Sequence, residues 1–131
     1  MTQTVLITGA DGFVGKNLQL HLAERKDLQV RCFTRSHPVA QLPELLQGVD
    51  FVFHLAGVNR PQDPKEFAEG NAGLTQALCQ ALGAMAAATG KRVPVVYTSS
   101  TQAAHANPYG QSKRAAEDAL FALAASHQVP V

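Results

Sequence analysis

The first twenty-odd residues constrain the fold most, because they join a strand, a glycine turn and a helix without a break. Thr4 to Thr8 is a short run of apolar and β-branched residues, which is typical of a strand buried on both faces. Gly9 ends this run. Beyond the turn, apolar residues recur at helical spacing at Val14, Leu18, Leu22 and Ala23, with polar residues between them, which predicts an amphipathic helix.

The same alternation of strand and helix continues along the chain. Further strands are predicted at Leu28 to Thr34, Phe51 to Leu55 and Val93 to Ser99, and further helices at Pro38 to Gln47, from about Leu74 to Gly90, and from about Tyr109 to His127. Strict alternation predicts an α/β fold, a doubly wound parallel sheet with helices on both faces. Positions 35 to 50 leave only 16 residues between the second and third strands, and one helix nearly fills them, so we expect the strand order 2-1-3-4.

Length, charge and cysteine content exclude several classes of protein. The 131 residues, 46% of them hydrophobic, are enough for one domain with a buried core. Eleven basic and ten acidic residues give a net charge of +1, so no basic field favours nucleic acid as a partner. No apolar run is long enough for a membrane span, and no signal peptide is recognisable, so we expect no membrane association. Two cysteines do not make a disulfide framework, which favours a cytoplasmic protein, and the scattered histidines show no metal-ligand spacing.

A glycine-rich turn is the strongest functional motif. Gly9, Gly12 and Gly15 have the spacing G-x-x-G-x-x-G between the first strand and the first helix. The first glycine permits a tight turn, the second lets the backbone approach a diphosphate, and the third allows close packing of helix and strand. Free amide groups at the helix N-terminus favour the negative charge, so the motif predicts dinucleotide binding.

The residues after the second strand indicate which dinucleotide is bound. An NAD site usually has a carboxylate there, which accepts hydrogen bonds from the ribose hydroxyls. This chain has Thr34 and Arg35 instead, so nothing repels a 2′-phosphate and a guanidinium can bind it. We therefore expect NADP(H) to be preferred and NAD(H) to be possible, while a solvated cation without a role at Arg35 is the alternative.

A second constellation carries acid-base chemistry. Tyr109 and Lys113 are four residues apart on the last helix, about 40° apart around its axis, so both can face one cleft. An ammonium beside a phenol stabilises the phenolate and so makes tyrosine a better proton-transfer group near neutral pH. Ser99 and Ser100 end the fourth strand at the carboxyl edge, where a hydroxyl can bind a substrate oxygen.

With these three motifs, the chain resembles the extended short-chain dehydrogenase/reductase family. The resemblance implies a Rossmann-like NAD(P)-binding domain over residues 1 to 131, with Ser100 as the catalytic hydroxyl, Ser99 as second choice, and Lys113 holding the nicotinamide ribose as well as assisting Tyr109. It also implies cofactor contacts from the glycine loop, the ends of the third and fourth strands and the long helix: Asp11, Phe13, Val14, Leu55, Ala56, Gly57, Asn71 and Thr98. Asn71 could equally be an ordinary helix N-cap. His54 is expected to be a packed or hydrogen-bonded histidine.

Three loop stretches narrow the resemblance to one branch: residues 54 to 61, 99 to 103 and 107 to 113. They are similar to capsular-polysaccharide enzymes that reduce UDP-linked 4-keto-6-deoxy amino sugars with NADPH. The resemblance therefore implies a nucleotide-sugar reductase, in which hydride passes from the cofactor to a sugar carbonyl and Tyr109 donates the proton. A 4-epimerase and a dehydratase are alternatives, although Thr101 and Gln102 stand where dehydratases have an Asp-Glu pair. A non-catalytic dinucleotide-sensing domain is the alternative from another class.

The family implies a longer protein than this chain. Residues 127 to 131 look like the beginning of another parallel strand, and members of the family continue into a substrate domain. We therefore expect an N-terminal fragment that binds cofactor weakly at best and has negligible turnover. An uncovered sheet edge and apolar helix faces would favour self-association, so a homodimer is a further expectation.

Overall fold

The computed structural model describes residues 2–56 and 68–131, with the side chains of residues 68 and 69 left out. The strands are β1 (Gln3–Thr8), β2 (Leu28–Phe33), β3 (Phe51–His54) and β4 (Val95–Tyr97). The α-helices are α1 (Phe13–Leu22), α2 (Leu42–Leu45), α3 (Leu74–Thr89) and α4 (Pro108–His127). The described residues also form two 3₁₀ turns (Val39–Gln41, Thr101–Ala104) and a π-helical turn (Ala68–Gly73).

The four strands form one parallel sheet in the order β2-β1-β3-β4, which confirms the order expected from the short second connection. The register pairs Thr8 of β1 with Phe33 of β2 and with His54 of β3, and His54 with Tyr97 of β4. The carboxyl ends of all four strands therefore lie along one edge of the sheet. In doubly wound folds this is the edge at which ligands bind.

The main core lies on one face of the sheet. Leu6, Val52 and Val95 share that face through the register, and they pack in one cluster with buried residues of the helices α2, α3 and α4. On the opposite face, Ile7 pairs with Cys32, whose Sγ contacts the Oε1 of Gln19 in α1 at 3.4 Å. Helices thus pack on both faces, as the alternation predicts.

Arg31 explains how the edge strand β2 tolerates a charge. Its guanidinium donates hydrogen bonds to the carbonyl oxygens of Leu45 and Gln47, at the end of α2. These carbonyls have no partner inside the helix, and a cation near a helix C-terminus is favourable. The charge therefore fixes α2 against the outer strand.

Several boundaries differ from those expected. The helix predicted at residues 38 to 47 is a 3₁₀ turn followed by a single α-helical turn, with Pro43 near its start. The fourth strand is shorter than the predicted residues 93 to 99. It begins at Val95, because Pro94 has no N–H to donate to a ladder, and it ends at Tyr97. Residues 128 to 131 are not assigned to a strand, but the carbonyl of Pro130 accepts a hydrogen bond from the Val95 amide at 2.9 Å.

Within residues 2–56 and 68–131, none of the helices has the length and apolar character that crossing a bilayer requires. In the same ranges, no three His, Cys, Asp or Glu side chains are grouped so that they could hold a metal ion.

Candidate functional site

The glycine loop has the geometry that each of its glycines was expected to need. Gly9 has φ +67°, and a Cβ on it would lie 2.7 Å from the amide nitrogen of Ala56, so only glycine fits between β1 and the end of β3. A Cβ on Gly15 would collide with the backbone of Gly9 and Ala10, so the helix packs directly on the turn. A Cβ on Gly12 would lie 3.3 Å from the carbonyl oxygen of Gly9, a tight contact but a milder one than those at Gly9 and Gly15.

The start of α1 is suited to an anion. No side chain caps this helix, and no acidic residue lies in its first turn. The amides of Phe13, Val14 and Gly15 have no backbone acceptor within the described part of the chain, whereas the Lys16 amide bonds to Gly12. Phe13 and Val14 are exposed, as is Asp11 in the turn. The residues of the loop therefore fit a diphosphate, because open backbone and free N–H groups meet at a helix N-terminus.

The end of β2 forms a small polar cluster beside the same edge. The Thr34 hydroxyl lies 2.7 Å from that of Ser36, and the Thr34 amide donates to Nδ1 of His37 at 2.9 Å. His37 in turn stacks on Phe33, with ring centroids 5.7 Å apart. Arg35 is exposed and forms no ion pair among the described residues, so its guanidinium is available at the site where a 2′-phosphate is expected.

Tyr109 and Lys113 lie in the first turns of α4, which begins as the sequence predicts. The Asn107 side chain caps the helix by accepting a hydrogen bond from the Gly110 amide at 2.7 Å, and Pro108 is at the first helical position. Tyr109 is half-buried, whereas Lys113 is only 5% exposed. The helix thus directs the lysine into the protein at the end of β4.

Lys113 is held by two groups of β4 and the loop after it. Its Nζ donates to the carbonyl oxygen of Thr98 at 2.7 Å and lies 4.6 Å from the centre of the Tyr97 ring. Burial lowers the pKa of Lys113, while the nearby Glu117 carboxylate opposes this shift. The ammonium is therefore held at the end of β4, and two of its three N–H groups have no hydrogen-bond partner in the part of the chain that the structure describes.

The two candidate serines are bonded differently. The Ser99 hydroxyl is 2.6 Å from a carboxylate oxygen of Glu117 and donates its only hydrogen to it. Ser100 caps the 3₁₀ turn by accepting a hydrogen bond from the Gln102 amide at 3.1 Å. Because that bond uses a lone pair, the hydroxyl hydrogen of Ser100 remains for a substrate oxygen.

Asn71 is fully buried and does not cap a helix, so the N-cap alternative is wrong. It lies inside the π-helical turn that precedes α3, and its side-chain amide donates to the Ser112 hydroxyl at 2.9 Å. The N-cap of α3 is Gly73. The side chain of Asn71 therefore connects α3 with the helix that carries Tyr109 and Lys113.

The structure also shows polar residues of the site that the sequence did not predict. Thr8, Thr75 and Ser112 are buried polar residues that join the elements around the site, and the Tyr97 hydroxyl is buried without a partner within the described ranges. Leu55 and Ala56 follow β3 directly, and the Ala56 amide donates to the Thr8 hydroxyl at 3.1 Å. Gly57, expected to approach the cofactor, lies outside the described residues.

Comparison with known proteins gives the following similarities. The sequence model of the NAD dependent epimerase/dehydratase family matches residues 5–131. A curated relative from Pseudomonas aeruginosa, UDP-2-acetamido-2,6-beta-L-arabino-hexul-4-ose reductase, is 54% identical over 127 residues, which are 97% of this chain and 33% of the relative. The chain thus spans about a third of the length of that relative.

Two solved structures illustrate the structural likeness. The capsular polysaccharide assembling protein CapF from Staphylococcus aureus is 36% identical with a TM-score of 0.72, over 97% of this chain and 33% of that one. The UDP-glucuronic acid 4-epimerase from Bacillus cereus in complex with NAD has a TM-score of 0.82 at 20% identity, over 98% of this chain and 54% of that one. The second likeness concerns the fold alone.

Proposed function

Because the chain belongs to the NAD dependent epimerase/dehydratase family, we propose that it is the cofactor-binding part of a nucleotide-sugar oxidoreductase. The proposed reaction is reduction of the 4-keto group of a UDP-linked sugar with NADP(H). The observation that carries the substrate class is the 54% identity to the Pseudomonas aeruginosa reductase, which extends over 97% of this chain.

The proposed roles use groups at the carboxyl edge of the sheet. The amides at the start of α1 bind the cofactor diphosphate, and Lys113 binds the ribose next to the nicotinamide while its charge stabilises a Tyr109 phenolate. Bound NADP(H) supplies the hydride. Tyr109 donates the proton to the sugar oxygen, and Ser100 orients that oxygen with its remaining hydroxyl hydrogen. The proposed cofactor site also includes Leu55, Ala56, Gly57, Asn71 and Thr98.

The preference for NADP(H) over NAD(H) is a separate part of the proposal, supported by Arg35 and by the absence of a carboxylate at Thr34. It is tested by titrating the chain with NADPH and NADH, followed by cofactor fluorescence. Arg35→Glu is expected to lower the affinity for NADPH by about tenfold or more, since a charge-assisted hydrogen bond is worth about 1.5–3 kcal/mol, and to leave NADH nearly unaffected. An unchanged NADPH affinity would remove the argument.

The reaction itself is tested with the chain joined to the part of the Pseudomonas aeruginosa reductase that it does not span. Tyr109→Phe is expected to abolish NADPH oxidation with the UDP-linked 4-keto sugar, because the phenol supplies the proton. Gln111→Ala, an exposed position on the same helix, is the control and is expected to keep the rate. A Tyr109→Phe variant as active as the parent would contradict the proposal.

Two other functions remain distinguishable by the same proteins. A 4-epimerase would interconvert sugars without net oxidation of NADPH, although it would also need Tyr109. A non-catalytic dinucleotide sensor would bind the cofactor equally well with and without the Tyr109 hydroxyl and would show no turnover. The reductase is favoured because the 54% identical relative is a UDP-sugar reductase.

A further inference from the structure

A buried hydrogen-bond chain crosses the sheet edge beneath the candidate site. His54, at the end of β3, is fully buried, and its Nδ1 lies 2.7 Å from the hydroxyl of Thr8 at the end of β1. Its Nε2 lies 2.7 Å from the hydroxyl of Thr75 in α3. Thr75 reaches the carbonyl oxygen of Asn71 at 2.6 Å, and Thr8 reaches the amide of Ala56 at 3.1 Å. One imidazole thus joins the glycine-loop strand to the long helix.

The direction of every bond in this chain follows from its two ends. The Asn71 carbonyl can only accept, so the Thr75 hydroxyl donates its single hydrogen there and must accept from Nε2 of His54. In a neutral imidazole Nδ1 is then an acceptor, so the Thr8 hydroxyl donates to it and accepts the Ala56 amide. All these groups are satisfied in this one arrangement only.

This hydrogen-bond chain continues through the side chain of Asn71 toward α4, the helix that carries Tyr109. Its amide donates to the Ser112 hydroxyl at 2.9 Å, and that hydroxyl donates to the backbone carbonyl of Tyr109 at 2.7 Å. Asn71, Thr75 and His54 are each fully buried. Buried hydrogen bonds therefore connect the end of β1, next to the glycine loop, with the turn of α4 that carries Tyr109.

We propose that His54 is a positioning residue, fixed as the neutral Nε2–H tautomer, which aligns the Tyr109 turn of α4 with the glycine loop through Thr75, Asn71 and Ser112. This inference rests on the proposed function, because the two parts that His54 aligns, Tyr109 and the glycine loop, have their roles only in that function. His54 does not touch substrate or cofactor in this role. It acts by holding the Asn71 carbonyl and side chain in one orientation.

The surroundings of His54 keep its ring neutral. The ring stacks on Tyr97, with centroids 5.2 Å apart, and among the described residues Lys113 is the charged group that acts on it. Burial, reinforced by that positive charge, lowers the pKa of His54 to about 3. Buried polar networks of this kind specify one arrangement only when every member is satisfied.

The tautomer is tested directly on the 131-residue chain, without cofactor, by long-range nitrogen-proton NMR of the histidine rings. His54 is expected to show a protonated Nε2 and an unprotonated Nδ1, and not to titrate across the neutral range. An Nδ1–H tautomer, or titration near the ordinary value for histidine, would overturn the proposal. This measurement needs no variant, so it stands even if a substitution prevents folding.

The positioning role is tested by following the amide signals of residues 109 to 113. His54→Leu is expected to shift these signals, and His54→Gln, whose amide can still donate toward Thr75, is expected to return them toward the parent positions. Leu82→Ala is the control. It removes buried volume from α3, the helix that contains Thr75, at a residue outside the hydrogen-bond chain. It is expected to weaken the fold without moving those signals.

The outcomes separate the two proposals. Unmoved signals in His54→Leu, an equal shift in Leu82→Ala, or no return in His54→Gln would each overturn the positioning role. None of these readings depends on cofactor or turnover. Failure of the chain to bind NADPH when it is joined to the remainder of the Pseudomonas aeruginosa reductase would contradict the proposed function and leave the alignment by His54 to be decided by the spectra.

Discussion

The Nζ of Lys113 lies 2.7 Å from the carbonyl oxygen of Thr98, which ties the first turns of α4 to the end of β4. The ammonium is buried, so this single backbone carbonyl and the face of the Tyr97 ring replace much of its lost hydration. The bond therefore holds the Lys113 ammonium at the carboxyl end of β4. A lysine that is both buried and directed in this way is expected to serve a ligand rather than the surface.

Replacing Lys113 with methionine tests this directly. The side chain keeps its length and loses its charge and donors, so the affinity for NADPH is expected to fall by about tenfold to a hundredfold, the loss expected for a hydrogen bond from a charged group. Fluorescence titration of the chain measures it. The control is Lys91→Met, which removes an exposed lysine paired with Asp50 and should leave NADPH affinity unchanged. Equal affinities for the parent and Lys113→Met would contradict the assigned role.

Alanine substitutions at two glycines of the loop are expected to have different effects on cofactor binding and stability. Gly12→Ala places a methyl group 3.3 Å from the carbonyl oxygen of Gly9, a tight contact that a small shift of the turn relieves, so it should weaken cofactor binding and cost at most about 1 kcal/mol in stability. Gly9→Ala forces a side chain into the left-handed region against the Ala56 backbone and should cost about 2 kcal/mol or more in stability. Urea unfolding and cofactor titration of both variants separate the effects. Equal stability losses would contradict the distinction.

Much of the fold was predictable because its signals are local. The glycine loop stands between a strand and a helix within residues 4 to 22, and the short connection after β2 leaves no room for another strand. The π-helical turn at Ala68–Gly73 was not predictable, because apolar spacing does not distinguish it from an α-helix. The shortness of α2 has the same origin, since its apolar residues keep helical spacing while the backbone forms a 3₁₀ turn first.

The candidate site was predictable only in part, because half of it depends on contacts distant in sequence. Tyr109 and Lys113 share a helix, so their spacing reveals them. The bonds of His54 join residues 46 and 21 positions away, and no periodic pattern reports such pairs. Asn71 was ambiguous for the same reason, since its partner Ser112 is 41 residues further along the chain.

The two serines after β4 are expected to differ in their effect on turnover. In the chain joined to the remainder of the Pseudomonas aeruginosa reductase, Ser100→Ala should lower kcat by about a hundredfold, the typical loss of one donor to a developing oxyanion. Ser99→Ala is the matched variant. Its hydroxyl is already committed to Glu117, so the loss should be much smaller. A larger effect at Ser99 would reassign the catalytic hydroxyl to that residue.

Acid should destabilise the fold through His54. Burial lowers the pKa of His54 to about 3 in the folded chain, against 6.5 for the free side chain. Between these values the unfolded chain binds a proton that the folded chain does not, so stability is fully present above the unfolded value and falls as the pH falls. The slope reaches about 1.4 kcal/mol per pH unit.

The measurement is the free energy of unfolding from urea titrations between about pH 7 and pH 4, for the parent and for His54→Gln. The variant has no imidazole at this position, so its stability should vary less over this range, and the difference between the two curves isolates His54. Asp27 and Asp50, whose pKa values their hydrogen bonds lower, begin to lose their contribution at about pH 5, but they are present in both proteins, so this loss cancels in the difference between the curves. Parallel curves would show that His54 binds a proton as readily in the folded chain as in the unfolded chain, which is incompatible with its place between the Thr8 donor and the Thr75 acceptor.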